Sequence, residues 1–185
     1  MNIINALNRI QLRYLFVLFF IFYSCEDNSA DKKILVEKNV ILESLSDKLN
    51  KPWGLAFLPD SSILITERSG SIYHYIYTSN LSQSQMSIVN GVPQVIASGQ
   101  GGMLDIVVHP NYANNKLIFF TGSYGTNNNF STVLFRAEFM DGQLSNVKKI
   151  FQAADYKNSS NKHFGSRIVI DSDGFIFVGL GDRYN

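Results

Sequence analysis

The chain has 185 residues, with 16 Lys and Arg against 15 Asp and Glu, and only 17% of its residues are charged. Fourteen Phe and nine Tyr, with many Ile and Val, exclude a disordered chain and describe a folded, strand-rich one. A formal charge of +1, with no basic run interleaved with aromatics, excludes nucleic acid as a partner.

Met1 to Arg13 is polar and carries two positive charges, Arg9 and Arg13. Tyr14 to Tyr23 is an apolar run of ten, followed by Ser24-Cys25. Ten helical residues rise about 15 Å, half of a ~30 Å hydrocarbon core, so the run is too short to span a bilayer and suits the apolar region of a signal peptide. A small residue directly before the sole cysteine resembles a bacterial lipobox, in which Cys25 is lipidated and becomes the new N-terminus. Phe22 and Tyr23 are bulkier than the usual residues there, which keeps a plain signal peptide and an uncleaved anchor open as alternatives. The expected organisation is a lipoprotein signal peptide over 1–24, a solvated tether over 25–37 and a folded domain over 38–185. The protein is then exported and periplasmic or outer-membrane-anchored, held to the membrane by acyl chains that contribute ~0.8 kcal/mol per buried CH₂. A single cysteine excludes an intramolecular disulfide and a Cys-based metal cluster.

Beyond the tether the pattern is strand after strand. Val40 to Leu45 is a first apolar segment, Trp53 to Leu58 the next, stopped by the turn Pro59-Asp60-Ser61-Ser62. Ile63 to Glu67, the turn Ser69-Gly70 and the alternating Ser71 to Tyr77 follow. Short strands every eight to twelve residues with turn residues between them predict an all-β sandwich, barrel or propeller.

An internal repeat separates these choices. An apolar strand, a turn with Pro or Asp, a second apolar strand and a polar turn recur at Trp53 to Arg68, at Met103 to Thr121 and at Ser166 to Gly179. Each copy has room for two more strands, which in the second are Ser131 to Phe139 and Val147 to Phe151. Four strands per non-identical unit predict a β-propeller. Asn185 falls inside the third unit, so the expectation is the N-terminal portion, about three blades, of a larger ring.

Two clusters carry candidate chemistry. His163-Phe-Gly-Ser-Arg167 precedes Gly179-Leu-Gly-Asp-Arg183, and in a blade this places His163 on the loop into the innermost strand and Asp182 at the end of the next. An imidazole held by a carboxylate is a workable general base. Equally, His163 caps a turn while Asp182 pairs with Arg167 or Arg183. Gly99-Gln100-Gly101-Gly102 opens the second repeat's inner strand, where Gln100 offers a donor and an acceptor to a hydroxyl, or where the glycines simply serve a turn needing positive φ. No helix and no Lys-Ser/Thr follow, so it is not a phosphate loop. His74 and His109 read as structural, and Asp171-Ser-Asp173-Gly174 as a tight turn rather than a calcium loop. No zinc-protease motif or nucleophile elbow is present.

Pro52-Trp-Gly-Leu-Ala-Phe-Leu-Pro-Asp60, Thr66-Glu-Arg68, Gly99-Gln-Gly-Gly-Met-Leu-Asp105, His109-Pro110, and His163-Phe-Gly-Ser-Arg167 with Gly181-Asp-Arg183 stand in a fixed order. Together they resemble the glucose/sorbosone dehydrogenase family of six-bladed propellers, over about residues 40–185, roughly that family's first half. The resemblance implies PQQ-dependent oxidation of an aldose sugar at C1 to the lactone. It gives His163 the role of general base, Asp182 that of its support, Gln100 a contact to the sugar, and Ca²⁺ the polarisation of the quinone. Electrons then pass to an external acceptor. Lys162 stands where the glucose-specific branch carries an acid, which favours the aldose branch. The PQQ and calcium ligands are expected beyond Asn185, no metal site is expected in this chain, and the fragment by itself is expected to be inactive. A non-catalytic propeller lipoprotein binding a glycan or a protein is the alternative; a propeller lactonase would need metal-binding carboxylates and Asn around the channel, which are not visible.

Overall fold

The structure is a computed structural model and describes residues 44–46, 49–126, 129–154 and 160–183. The predicted signal peptide, Cys25, the tether and most of the Val40 to Leu45 segment lie outside the described residues.

The first sheet runs β1 (Pro52–Phe57), β2 (Ile63–Glu67), β3 (Ile72–Ile76) and β4 (Gln85–Ile88), each antiparallel to the one before. The second repeats that order with β5 (Met103–Val108), β6 (Leu117–Thr126), β7 (Asn129–Met140) and β8 (Gln143–Gln152). A third begins with the hairpin β9 (Gly165–Ile170) and β10 (Ile176–Leu180). Four-stranded meanders repeated along one chain are the blades of a β-propeller.

Turn chemistry sets the registers. The Asp60 carboxylate accepts from the backbone N–H (3.0 Å) and hydroxyl (2.6 Å) of Ser62, which folds the β1–β2 turn. Asp171 does the same between β9 and β10, accepting from the N–H groups of Asp173 (3.0 Å) and Phe175 (2.8 Å). This is the tight turn expected there. Between β5 and β6 a short helical turn, Tyr112–Asn115, is fastened by His109, whose Nδ1 accepts from the Asn111 N–H at 2.9 Å.

Alternation along the strands delivers apolar side chains to the space between blades. Ala56, Leu64 and Ile72 of the first blade pack with Met103, Ile106, Phe120 and Phe135 of the second in one buried cluster. Phe119 and Leu134 of the second blade join Ile168 of the third, with Ile176 and Val178 against them. Full burial of a side chain such as Phe120 contributes about 1.5–3 kcal/mol, so the seams carry much of the stability.

A polar latch is repeated along the same seams. The Thr66 hydroxyl accepts from the Gly54 N–H (2.8 Å) in its own blade and donates to the Leu104 carbonyl (2.5 Å) in the next. Thr121 accepts from the Asp105 N–H (3.0 Å) and donates to the Ser166 carbonyl (3.0 Å) of the third blade. The innermost strands β1, β5 and β9 are thereby fixed against one another in depth, so the loops that lead into them open at one level.

Candidate active site

Strands β9 and β10 pair so that Leu180 lies opposite Gly165. The end of β10 therefore runs beside the loop that leads into β9. Gly181 donates its N–H to the Phe164 carbonyl (3.2 Å), and Arg183 donates its N–H to the His163 carbonyl (3.3 Å). The fit is close: a Cβ on Gly181 would stand 1.9 Å from the His163 carbonyl oxygen, so only glycine allows this approach.

His163 itself has φ +51°, in the left-handed region that a non-glycine residue rarely occupies. Such strain persists only where surrounding contacts impose it. Here the result is that the ring turns to Asp182, with Nδ1 2.7 Å from Oδ1. Both side chains are open to solvent, 42% and 64% exposed. An ionised carboxylate at Nδ1 keeps the hydrogen on that nitrogen and leaves Nε2 as the basic one.

Gln100 reaches the same place from the second blade. Its side-chain Oε1 accepts the His163 backbone N–H at 2.8 Å, and its own N–H donates to the Asn161 carbonyl at 2.7 Å. The loop that carries it depends on Gly102 (φ +145°), where a Cβ would sit 1.9 Å from the Arg68 carbonyl oxygen. The Arg68 guanidinium closes the loop from the other side by donating to the Gly99 carbonyl. Gln100, His163 and Asp182 thus lie together at one rim, although 82 positions separate the first from the last. The glycines serve a positive-φ turn and also present Gln100 to the rim; the two readings of that loop coexist.

Pairing of Asp182 with Arg167 is corrected by the structure. Arg167 donates instead to Asp105 Oδ1 (2.9 Å), while Asp105 Oδ2 accepts the Ile168 N–H (2.7 Å). Asp105 is only 1% exposed and ties the second blade's inner strand to the third's. An acid in the middle of the apolar run Met103-Leu-Asp-Ile-Val-Val108 was the signal for such a tie. Arg183 turns inward, with its guanidinium on backbone carbonyls and 3.8 Å from the centre of the Phe164 ring.

The other histidines have structural places. His74 lies 2.8 Å from the Ser62 hydroxyl through Nε2, with its ring edge-on to Phe139. Partial burial lowers its pKa, and the Asp60 charge opposes that shift. Hydrogen bonds from Ser62 hold Asp60 below the usual carboxylate range. Among the described residues no group of three or more His, Cys, Asp or Glu is placed to hold a metal ion.

The repeated four-stranded blades place the chain in the class of β-propeller proteins. The sequence pattern of the Glucose / Sorbosone dehydrogenase family matches residues 49–185, and the chain belongs to that family. It is 37% identical to aldose sugar dehydrogenase YliI of Escherichia coli K12 over 148 residues, 78% of this chain and 38% of that protein. It is 30% identical to quinoprotein glucose dehydrogenase B of Acinetobacter calcoaceticus, over 80% of this chain and 31% of that one. Among solved structures it superposes on the apo form of the soluble E. coli aldose sugar dehydrogenase with a TM-score of 0.68 and 34% identity, covering 76% of this chain and 40% of that one. The PQQ-bound aldose sugar dehydrogenase of Streptomyces coelicolor, at 24% identity and a TM-score of 0.66, shares the fold over 79% of this chain and 42% of its own. The chain therefore spans well under half the length of these relatives.

Proposed function

We propose that the protein containing this chain oxidises an aldose sugar at C1 to the lactone with PQQ as the oxidant, and that His163 is the general base. The observation that carries the reading is the 2.7 Å contact of His163 Nδ1 with Asp182 Oδ1, beside a Gln100 delivered by another blade. The names of the relatives, an aldose sugar dehydrogenase and a quinoprotein glucose dehydrogenase, support the substrate class and the cofactor.

Such an oxidation removes a proton from the C1 hydroxyl and a hydride from C1. This chain's residues serve the first. Nε2 accepts the hydroxyl proton while Asp182, facing Nδ1–H, stabilises the imidazolium that forms, an arrangement worth about 10²–10⁴ in rate. Gln100 has its oxygen committed to the His163 N–H, which leaves its amide N–H groups as the donors it offers to a sugar oxygen.

The described residues do not fit a cradle for PQQ or calcium. Arg68 and Arg167 are engaged on Gly99 and Asp105, and the carboxylates form no cluster among the described residues. We assign both groups to other parts of the protein and derive no step through them. Export and anchoring through a lipidated Cys25 belong to the same proposal, supported by the apolar run of ten before Ser24-Cys25.

The test is dye-linked oxidation of aldoses by the full-length apoprotein before and after addition of PQQ and Ca²⁺. Activity that appears only on addition, across several aldoses, is the expected result. Failure to turn over any aldose when PQQ is bound would overturn the reading and favour a glycan-binding propeller.

A further inference from the structure

We propose that Arg183 is a positioning residue that sets the orientation of the His163 ring. This inference rests on the reading of His163 as the base. Its guanidinium is buried, the residue being 2% exposed, and it is spent on the segment just before the histidine. Nε donates to the Lys162 carbonyl at 3.1 Å and Nη2 to the Ser160 carbonyl, while Nη1 donates to the Phe130 carbonyl of the second blade at 2.9 Å. The same group lies 3.8 Å over the Phe164 ring, which in turn stacks on Phe130 with centroids 5.7 Å apart. The backbone N–H of Arg183 completes the grip on the His163 carbonyl.

The peptide units on both sides of His163 are therefore held by one residue, adjacent in the chain to the carboxylate that the ring must meet. His163 stands at φ +51°, a conformation that relaxes unless its neighbours impose it. A planar fork on three carbonyls and two ring faces is a task for guanidinium and not for an ammonium, which is a point charge on a flexible stem. Release of this hold lets the 160–163 segment turn and takes the imidazole away from Asp182, without removing any side chain that touches the sugar.

The experiment uses the full-length protein labelled with ¹⁵N-histidine, with His163→Ala to assign the signal. Long-range ¹H–¹⁵N spectra of the apoprotein at mildly alkaline pH report which ring nitrogen carries the hydrogen. The wild type is expected to show His163 as the Nδ1–H tautomer. In Arg183→Gln the signal should shift toward the Nε2–H form that a free imidazole favours. Reconstituted with PQQ, the same variant should lose about 10–10² in kcat, the cost of a base displaced by roughly an ångström, with KM little changed. Arg183→Lys should move both readouts in the same direction, and it carries the test if the glutamine variant does not fold. A wild-type tautomer and kcat in a folded variant would overturn the proposal. Full activity in His163→Ala would instead remove the reading of His163 as base, while the tautomer signal of the Arg183 variants still decides whether Arg183 orients the ring.

Discussion

Two imidazole–carboxylate systems in this molecule use the same residue types to opposite ends. At the first blade's turn, His74, Ser62 and Asp60 form a chain in which the serine hydroxyl donates to Asp60 (2.6 Å) and lies 2.8 Å from the imidazole Nε2. The ring edge is packed on Phe139, and the polar groups serve the turn. At the rim, His163 meets Asp182 directly, with both side chains open to solvent and a carboxamide from the neighbouring blade alongside. An imidazole near an acid is thus no signature of chemistry; what distinguishes the rim is strain, exposure and convergence of two blades on one point.

Substitution should separate the two systems. His163→Ala is expected to lower kcat for aldose oxidation by about 10²–10⁴ without lowering the melting temperature, measured on the PQQ-reconstituted full-length protein. Asp182→Asn keeps the shape but removes the charge that stabilises the imidazolium, and its loss should lie near the lower end, about 10² in kcat. The seam behaves differently. Thr121→Val leaves the buried Asp105 N–H and Ser166 carbonyl without the hydroxyl that joins them, and should cost about 1–3 kcal/mol in urea unfolding with little effect on KM.

The smallest effect belongs to the His74 system and appears in its pH dependence. Burial lowers the folded pKa of His74, so below about pH 6.5 the unfolded chain binds the proton that the folded one resists. Stability from this group is complete above that value and is lost as pH falls toward the folded pKa. Asp60, also lowered, loses its contribution only at more acidic pH, below the usual carboxylate value. His74→Gln should therefore flatten the fall in melting temperature between about pH 7 and pH 5 and leave the steeper loss below pH 4 in place. An unaltered slope between pH 7 and 5 would show that His74 is not the group responsible.

How much of this was legible in the sequence follows from range. The strands from Trp53 to Leu58 and from Lys116 to Thr121 were announced by their own apolar runs and turn residues, and the repeat gave their grouping into blades. A fourth strand was expected in the first unit, but β4 (Gln85–Ile88) could not be located because Gln-Met-Ser-Ile is short, half polar and exposed at a sheet edge, where little burial shapes the sequence. The helical turn at Tyr112–Asn115 is a one-turn feature held by His109, with no periodicity to read. His163, Asp182 and Gln100 could be singled out by residue type and by their place before or after a strand. Asp105 could not be given a partner, and Arg183 was offered only its chain neighbour Asp182, since their contacts to Ile168 and Phe130 join residues 63 and 53 positions away. Strand order supplies a residue's level in the blade; only the seam between blades supplies its neighbour.

The most direct measurement is a crystal structure of the full-length protein with PQQ and an aldose bound. A C1 hydroxyl within about 2.6–3.2 Å of His163 Nε2, with the Gln100 amide on the same sugar, is the expected result. A sugar seated away from this rim, with His163 and Asp182 turned to the protein interior, would contradict the assignment of the base.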